Sequence, residues 1–217
     1  LHKAGSKGTP ADSTLRADGG YSFAHDPDVP AGHEPALWCP EIAPGTLILA
    51  PAPEGFDAGE PLGLSSLGHP IVDRSNGHDR HLILSDQQGD HILWLHGAHA
   101  ARHPAVILPL DAAFDLRVEV MWRFYRRLRG RSAGPLPRVL QLTQQRRARL
   151  ILLLHTLDFR LAGAGPRDIA AALIDAEAAA LPAIEWKSSA VRRKANRLIH
   201  DAFALMNGGY RKLLPGG

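Results

Sequence analysis

Near Phe114 the apolar residues of this chain change their period. Upstream they come in short runs bounded by Gly, Pro, Asp and Ser: TLILAP (46–51), HLILSD (81–86), HILWLH (91–96) and AVILPL (105–110). Such runs are strand lengths rather than helix lengths. Downstream, apolar residues recur every three or four positions, the spacing of an amphipathic helix. The change predicts an α+β fold: a small antiparallel β-sheet followed by an all-helical domain. The polar tip in SDQQGDHI, with its Gly89, predicts a hairpin over 81–95.

The helical part punctuates itself. LRVEVMWRFYRRLRG ends at Gly130 after a basic last turn, and SAGPLPRVLQL reads as a linker. Thr143 is a good N-cap for a helix in which Leu150, Leu153, Leu154, Leu157 and Leu161 share one face. Gly165, Pro166 and Asp168 write the start of a short helix with Ile169, Ala170 and Leu173 facing inward. A looser stretch, DAEAAALPAIEWK, leads into a last helix from about Ser188 to Met206, closed by Asn207, Gly208 and Gly209. Three regions result: a flexible leader and extended N-terminal docking arm over 1–45, with Tyr21, Phe23 and Trp38 as anchors; the β-region over 46–112; and the helical domain over 113–217. Leu1 stands where Met begins a chain, so the leader reads as a flexible segment, an expression remnant or the middle of a longer product.

Composition narrows the class. With 45% hydrophobic and 22% charged residues the 217-residue chain is globular. No apolar run reaches the roughly 18 residues of a membrane span. The single cysteine, Cys39 in LWCP, excludes an internal disulfide framework and reads as a small buried hydrophobe. With no secretory leader in view, a cytoplasmic setting is expected.

The net charge of +3 conceals a division. Residues 1–119 carry 7 Lys and Arg against 16 Asp and Glu, whereas residues 120–217 carry 18 against 6. Such asymmetry points to nucleic-acid binding by the basic part, or to attraction between the two parts. The last helix sharpens the choice. On a wheel, Val191, Ala195, Leu198, Ile199, Ala202, Leu205 and Met206 form a core arc. The opposite arc carries Ser189, Arg193, Asn196, Arg197 and His200, with Arg192 and Lys194 on its shoulders. Arg and Asn make bidentate contacts to guanine and adenine edges, and flanking Arg and Lys suit phosphates. A basic helix face is often merely solvated, but such a face usually interleaves acids, and here the only one is Asp201. The short helix PRDIAAAL before it places the small Ala170 where a helix-turn-helix packs its two helices closely. Between Ile174 and Ser188 the turn must be an extended one.

Over 141–214, LTQQRRARLILLLHTLDFRLAGAGPRDIAAALI and WKSSAVRRKANRLIHDAFALMNGGYRKLL resemble the family catalogued as domain of unknown function 2285. Weaker likeness extends to PALWCPEIAPGTLILAPAP and to HLILSDQQGDHILWLHG. The resemblance implies an extended-turn helix-turn-helix regulator of excision and transfer of integrative and conjugative elements in proteobacteria. Members include activators and antiactivators, and a basic surface marks the DNA-binding kind. Activators can carry a helical N-terminal domain, for which the first 45 residues supply no helix pair.

The expectation is therefore sequence-specific binding of double-stranded DNA by a transcriptional regulator, an activator in kind. Arg193, Asn196 and Arg197 would read bases together with Ser189 or His200, and Arg192, Lys194, Lys187 and Arg167 would hold phosphates. Arg146, Arg147, Arg211 and Lys212 would extend the phosphate surface. A helical activator domain or RNA polymerase would be the protein partner. The alternative is a protein-interaction module, an antiactivator or the partner half of a larger activator. A metal-dependent enzyme built on the histidine-rich region is the third reading. His78, His81, His91, His96, His99 and His103 lie close in sequence, but Gly97 and the His103-Pro104 pair oppose a helical ligand face, and no Cys or Glu completes a set. No phosphate-binding Gly-rich loop or nucleophile elbow occurs, so no cofactor, metal or catalytic residue is assigned. Trp122, Phe124 and Tyr125 have a spacing that favours packing over base stacking.

Overall fold

The computed structural model describes residues 35–56, 60–97 and 99–214; the expected leader, with Tyr21 and Phe23, lies outside them apart from its last residues. The chain forms two compact units that divide between Leu140 and Gln141. The α+β class holds: among the described residues five strands are followed by six helices.

In the first unit the strands are β1 (Thr46–Pro51), β2 (Pro70–Ser75), β3 (Arg80–Leu84), β4 (His91–Leu95) and β5 (Pro104–Ile107). Their order in the sheet is β2-β3-β4-β1-β5. Three pairings are antiparallel, and β1 lies parallel to β4 with Thr46 opposite Ile92. The parallel pair arises because the β2–β3 hairpin is interposed in sequence, so β4 returns beside β1 in the same direction. The expected hairpin is β3–β4, with His81 opposite Trp94 and Ile83 opposite Ile92. Its turn needs Gly89, whose φ is +113° and whose hydrogen faces Leu136 so closely that a Cβ would sit 2.3 Å from that side chain.

Strand β2 does not stand out in the sequence, because only Val72 of PIVDRS is buried. It is an edge strand held by cross-strand chemistry: Arg80 donates to both carboxylate oxygens of Asp73 at 2.8 and 2.6 Å. That pairing holds the Asp73 carboxyl below its usual range.

Alternation sorts the sheet's faces. Leu47, Leu49, Leu82, Leu84, Leu93 and Leu95 point to one side, where α1 (Phe114–Leu128) covers them with Val120 and Phe124. Ile83 and Ile92 point to the other, where Leu37 and Val72 join them. Helix α1, read from sequence as the opening of the helical domain, thus packs in the sheet's own unit. Its Phe124 is 2% exposed, in line with core packing, whereas Trp122 and Tyr125 stand out at 55% and 47% and meet each other edge-on with ring centroids 5.7 Å apart.

The second unit holds α2 (Gln144–Leu161), α3 (Pro166–Leu173), α4 (Ala176–Ala180), α5 (Ala183–Ser188) and α6 (Ala190–Met206). Thr143 caps α2 by accepting from the Arg146 amide at 3.2 Å. Gly163, at φ +91°, ends it. The Asp168 carboxylate accepts from the Gly165 amide at 2.8 Å, closing the start of α3. The leucine face of α2 is covered only in part. Leu153 is buried, whereas Leu154 and Leu161 are 60% and 67% exposed. Leu150, Leu153, Leu154 and Leu157 instead line an apolar groove of about 270 Å³ with Leu205, Met206 and Tyr210. Met206, placed in the core arc by the wheel, is exposed for the same reason.

Candidate nucleic-acid interface

Helix α6 is held from behind by small residues. Ala195, Leu198 and Ala202 are buried, the first against Ala170 of α3, Ala179 of α4 and Trp186 of α5, and the other two against Leu153 of α2. Ala170 and Ala195 expose 0% of their surface, and with no side chain beyond Cβ they let α3 and α6 approach closely. This is the pairing of helices in a helix-turn-helix.

The extended turn is filled by structure rather than by loop. Asp175 caps α4, its carboxylate accepting from the Ala178 amide at 2.9 Å. The Trp186 ring closes the space between α4 and α6. Arg167 lies over that ring, 5.2 Å from its centroid, and donates to the Leu181 carbonyl at 2.8 Å. A cation over an indole face and a hydrogen bond across the turn make Arg167 a brace for the turn. It is half-buried, as are Arg192 and Arg146, whereas Lys187, Lys194, Arg147, Arg211 and Lys212 are exposed.

Ser189 is the N-cap of α6, its hydroxyl oxygen accepting from the Arg192 amide at 3.0 Å. The Arg192 and Arg193 guanidinium groups each reach back, to the carbonyls of Lys187 at 2.9 Å and Ser188 at 2.8 Å. One bond uses one of five donors, so these contacts orient the two groups and leave most of each fork available. Arg193, Lys194, Asn196, Arg197 and His200 are all exposed on the face opposite the alanines.

Asp201 is engaged elsewhere. Arg149 of α2 binds it at 2.6 Å, and His200 lies 3.5 Å from its other oxygen. Among the described residues no acid pairs with Arg193, Lys194 or Arg197, so the exposed face keeps its positive charge. Arg149 was not singled out in the sequence; its role appears only when α2 and α6 are laid together. Lys187, Arg147, Arg211 and Lys212 are exposed, and Arg146 and Lys212 flank a second depression between the start of α2 and the end of α6. The structure therefore groups the expected contacts into two basic areas, one over the first half of α6 and one at its far end.

Residues 107–215, half of the chain, match the model of the RovC DNA-binding domain family, described as T6SS, transcription factor, DNA binding domain. The chain belongs to that family. It carries the DNA-binding domain of a transcription factor, as the basic last helix and the helix-turn-helix packing had indicated. The match takes in α1 as well as the whole helical unit. Residues 45–106 match a second model, domain of unknown function 7012, which coincides with the sheet. No curated protein matches the chain. The regulator family shown is the T6SS transcription factor one; the likeness to regulators of conjugative elements rests on the residues quoted above alone. No helix among the described residues is long and apolar enough to cross a membrane.

Proposed function

We propose that the protein is a sequence-specific regulator of transcription that lays α6 in the major groove of duplex DNA. A helix of ordinary diameter fits that groove, which is about 12 Å wide. Arg193, Asn196 and Arg197 lie on the outward face and read base edges, with His200 at its end. Ser189, already engaged as the cap, stays near the backbone. Arg192, Lys194 and Lys187 contact phosphates on one side, and Arg146, Arg147, Arg211 and Lys212 on the other. Arg167 acts by holding the turn. The observation that carries this reading is the outward basic face of α6, whose one acid, Asp201, is held by Arg149, set on a close alanine seam in a chain of a DNA-binding family.

The protein works in the cytoplasm as an activator, with RNA polymerase or a helical activator domain as its protein partner. For the genes controlled, the family description points to type VI secretion, and the resemblance over 141–214 points to excision and transfer of a mobile element. Mapping bound chromosomal sites by immunoprecipitation separates the two. The direct test is binding to labelled DNA from the protein's own gene neighbourhood and to scrambled DNA across a salt series. Tight binding to one fragment with a steep loss as salt rises is expected. Weak, equal binding to both would overturn the reading in favour of a protein-interaction module, an antiactivator or the partner half of a larger activator.

A further inference from the structure

The histidine-rich region, set aside in the sequence, is rearranged by strand pairing. Arg80 lies opposite Leu95 in the β3–β4 ladder, so the residues just beyond, Asp79 and His96, meet at the end of the sheet although 17 positions apart. His96 brings its Nδ1 to 3.0 Å from the Asp79 Oδ1, and His78 brings its own Nδ1 to 2.8 Å from the same oxygen. One nitrogen from each imidazole and one carboxylate oxygen all lie within 4.8 Å of one another.

The ligands sit on a turn that holds its own shape. Asn76 Oδ1 accepts from the amides of His78 at 3.0 Å and Asp79 at 2.7 Å, and Ser75 Oγ donates to the Asp79 carbonyl at 3.1 Å. The Gly97 amide donates to Asp79 Oδ1 at 3.1 Å, fixing the carboxylate from the β4 side. Trp94 packs against the His96 ring with centroids 5.0 Å apart.

We infer that His78, Asp79 and His96 form a binding site for a divalent transition metal of the zinc type. Two imidazoles and a carboxylate are the ligand set such ions favour over magnesium or calcium. With bonds of about 2.0–2.1 Å, tetrahedral geometry places ligand atoms about 3.3 Å apart. The two Nδ1–Oδ1 separations of 2.8 and 3.0 Å need to open by only a few tenths of an ångström, with the Nδ1 protons leaving to solvent or moving to Nε2, and the two imidazole nitrogens lie within 4.8 Å of each other. Because the His78 and His96 side chains are 68% and 46% exposed, water completes the coordination. The bound ion ties the tip of the β2–β3 hairpin to the end of β4.

The test uses the full chain without a histidine tag, titrated calorimetrically with zinc chloride at pH 7.5. One saturable equivalent is expected for the native chain, weakened at least tenfold in His96→Gln and in Asp79→Asn and unchanged in His103→Gln. Circular dichroism of each variant checks that the fold is intact, and because His96 is a surface residue its Gln variant reports on the site itself. The absence of a saturable equivalent in the native chain, or an equivalent retained at full affinity in His96→Gln, overturns the assignment.

Discussion

Helices α1 and α6 are both rich in arginine, yet they use it in opposite ways. In α1 three of the four guanidinium groups are turned inward and hold loops, Arg126 alone being exposed. Arg117 donates to Asp111 and to the Pro40 carbonyl, Arg123 to the carbonyls of Gly134 and Gly89, and Arg127 to the carbonyls of Ser85 and Leu67. Arg117 and Arg123 are 4% and 6% exposed. In α6 Arg193 and Arg197 are exposed and Arg192 is half-buried, and Arg192 and Arg193 donate to carbonyls of the preceding turn. A count of basic residues cannot distinguish the two. Part of the positive charge after residue 120 is thus a structural device of the sheet unit, and the electrostatic attraction for DNA rests on the remainder.

That contrast can be broken most forcefully at Arg123. Its removal leaves one buried and two partly buried carbonyls without this donor, the buried one at about 1–3 kcal/mol. Arg123→Ala should therefore destabilise the sheet unit by about 2–4 kcal/mol, read by urea unfolding, while DNA affinity in the cold stays native. Equal stability of the variant would return Arg123 to the DNA-facing group. The converse change, Arg193→Ala, should leave unfolding unaltered and cost about 1–3 kcal/mol of discrimination between the preferred and scrambled DNA, measured by competition. A stability loss without a binding loss would make α6 resemble α1.

A smaller effect separates the units by pH. His91 is buried against Phe124, neither ring nitrogen has a hydrogen-bond partner among the described residues, and Asp86 comes no nearer than 3.8 Å. Burial, reinforced by the positive Arg123 and Arg127 and opposed by Asp86 and Asp90, pushes its pKa down to about 4. Between pH 6.5 and 4 the unfolded chain binds a proton that the folded one refuses. The stability due to neutral His91 is present above pH 6.5 and lost as pH falls through that window. His91→Leu should flatten this slope in the sheet unit and leave the salt dependence of DNA binding untouched. The smallest effect is expected at Arg147, where Ala should reduce the slope of log affinity against log salt by about 1 and weaken all DNA sequences alike.

How much of this was legible beforehand depended on the reach of each interaction. The caps at Thr143, Gly165 and Asp168 span three residues, and they were readable because the partners are neighbours in sequence. The packing of Ala170 followed from the same local logic. Strand β2 escaped notice since an edge strand with one buried residue lacks the alternation that marks a half-buried strand. The leucine stripe of α2 showed which face is apolar but not how much of it α6 would cover. Asp79 was overlooked among the histidines because its partner His96 is near only through the ladder.

The sequence by itself determined the kinds of element, most of their ends and the division between the apolar and basic faces of α6, for these depend on period and on contacts a few residues long. Only the tertiary structure decided which arginines face solvent. The partners of Arg117, Arg123 and Arg127 are carbonyls 77, 34 and 60 residues away, and a guanidinium turns inward when folding brings such an acceptor within reach. On α6 the nearest acceptors belong to the turn before it, so the forks remain outside, with Asp201 already held by Arg149.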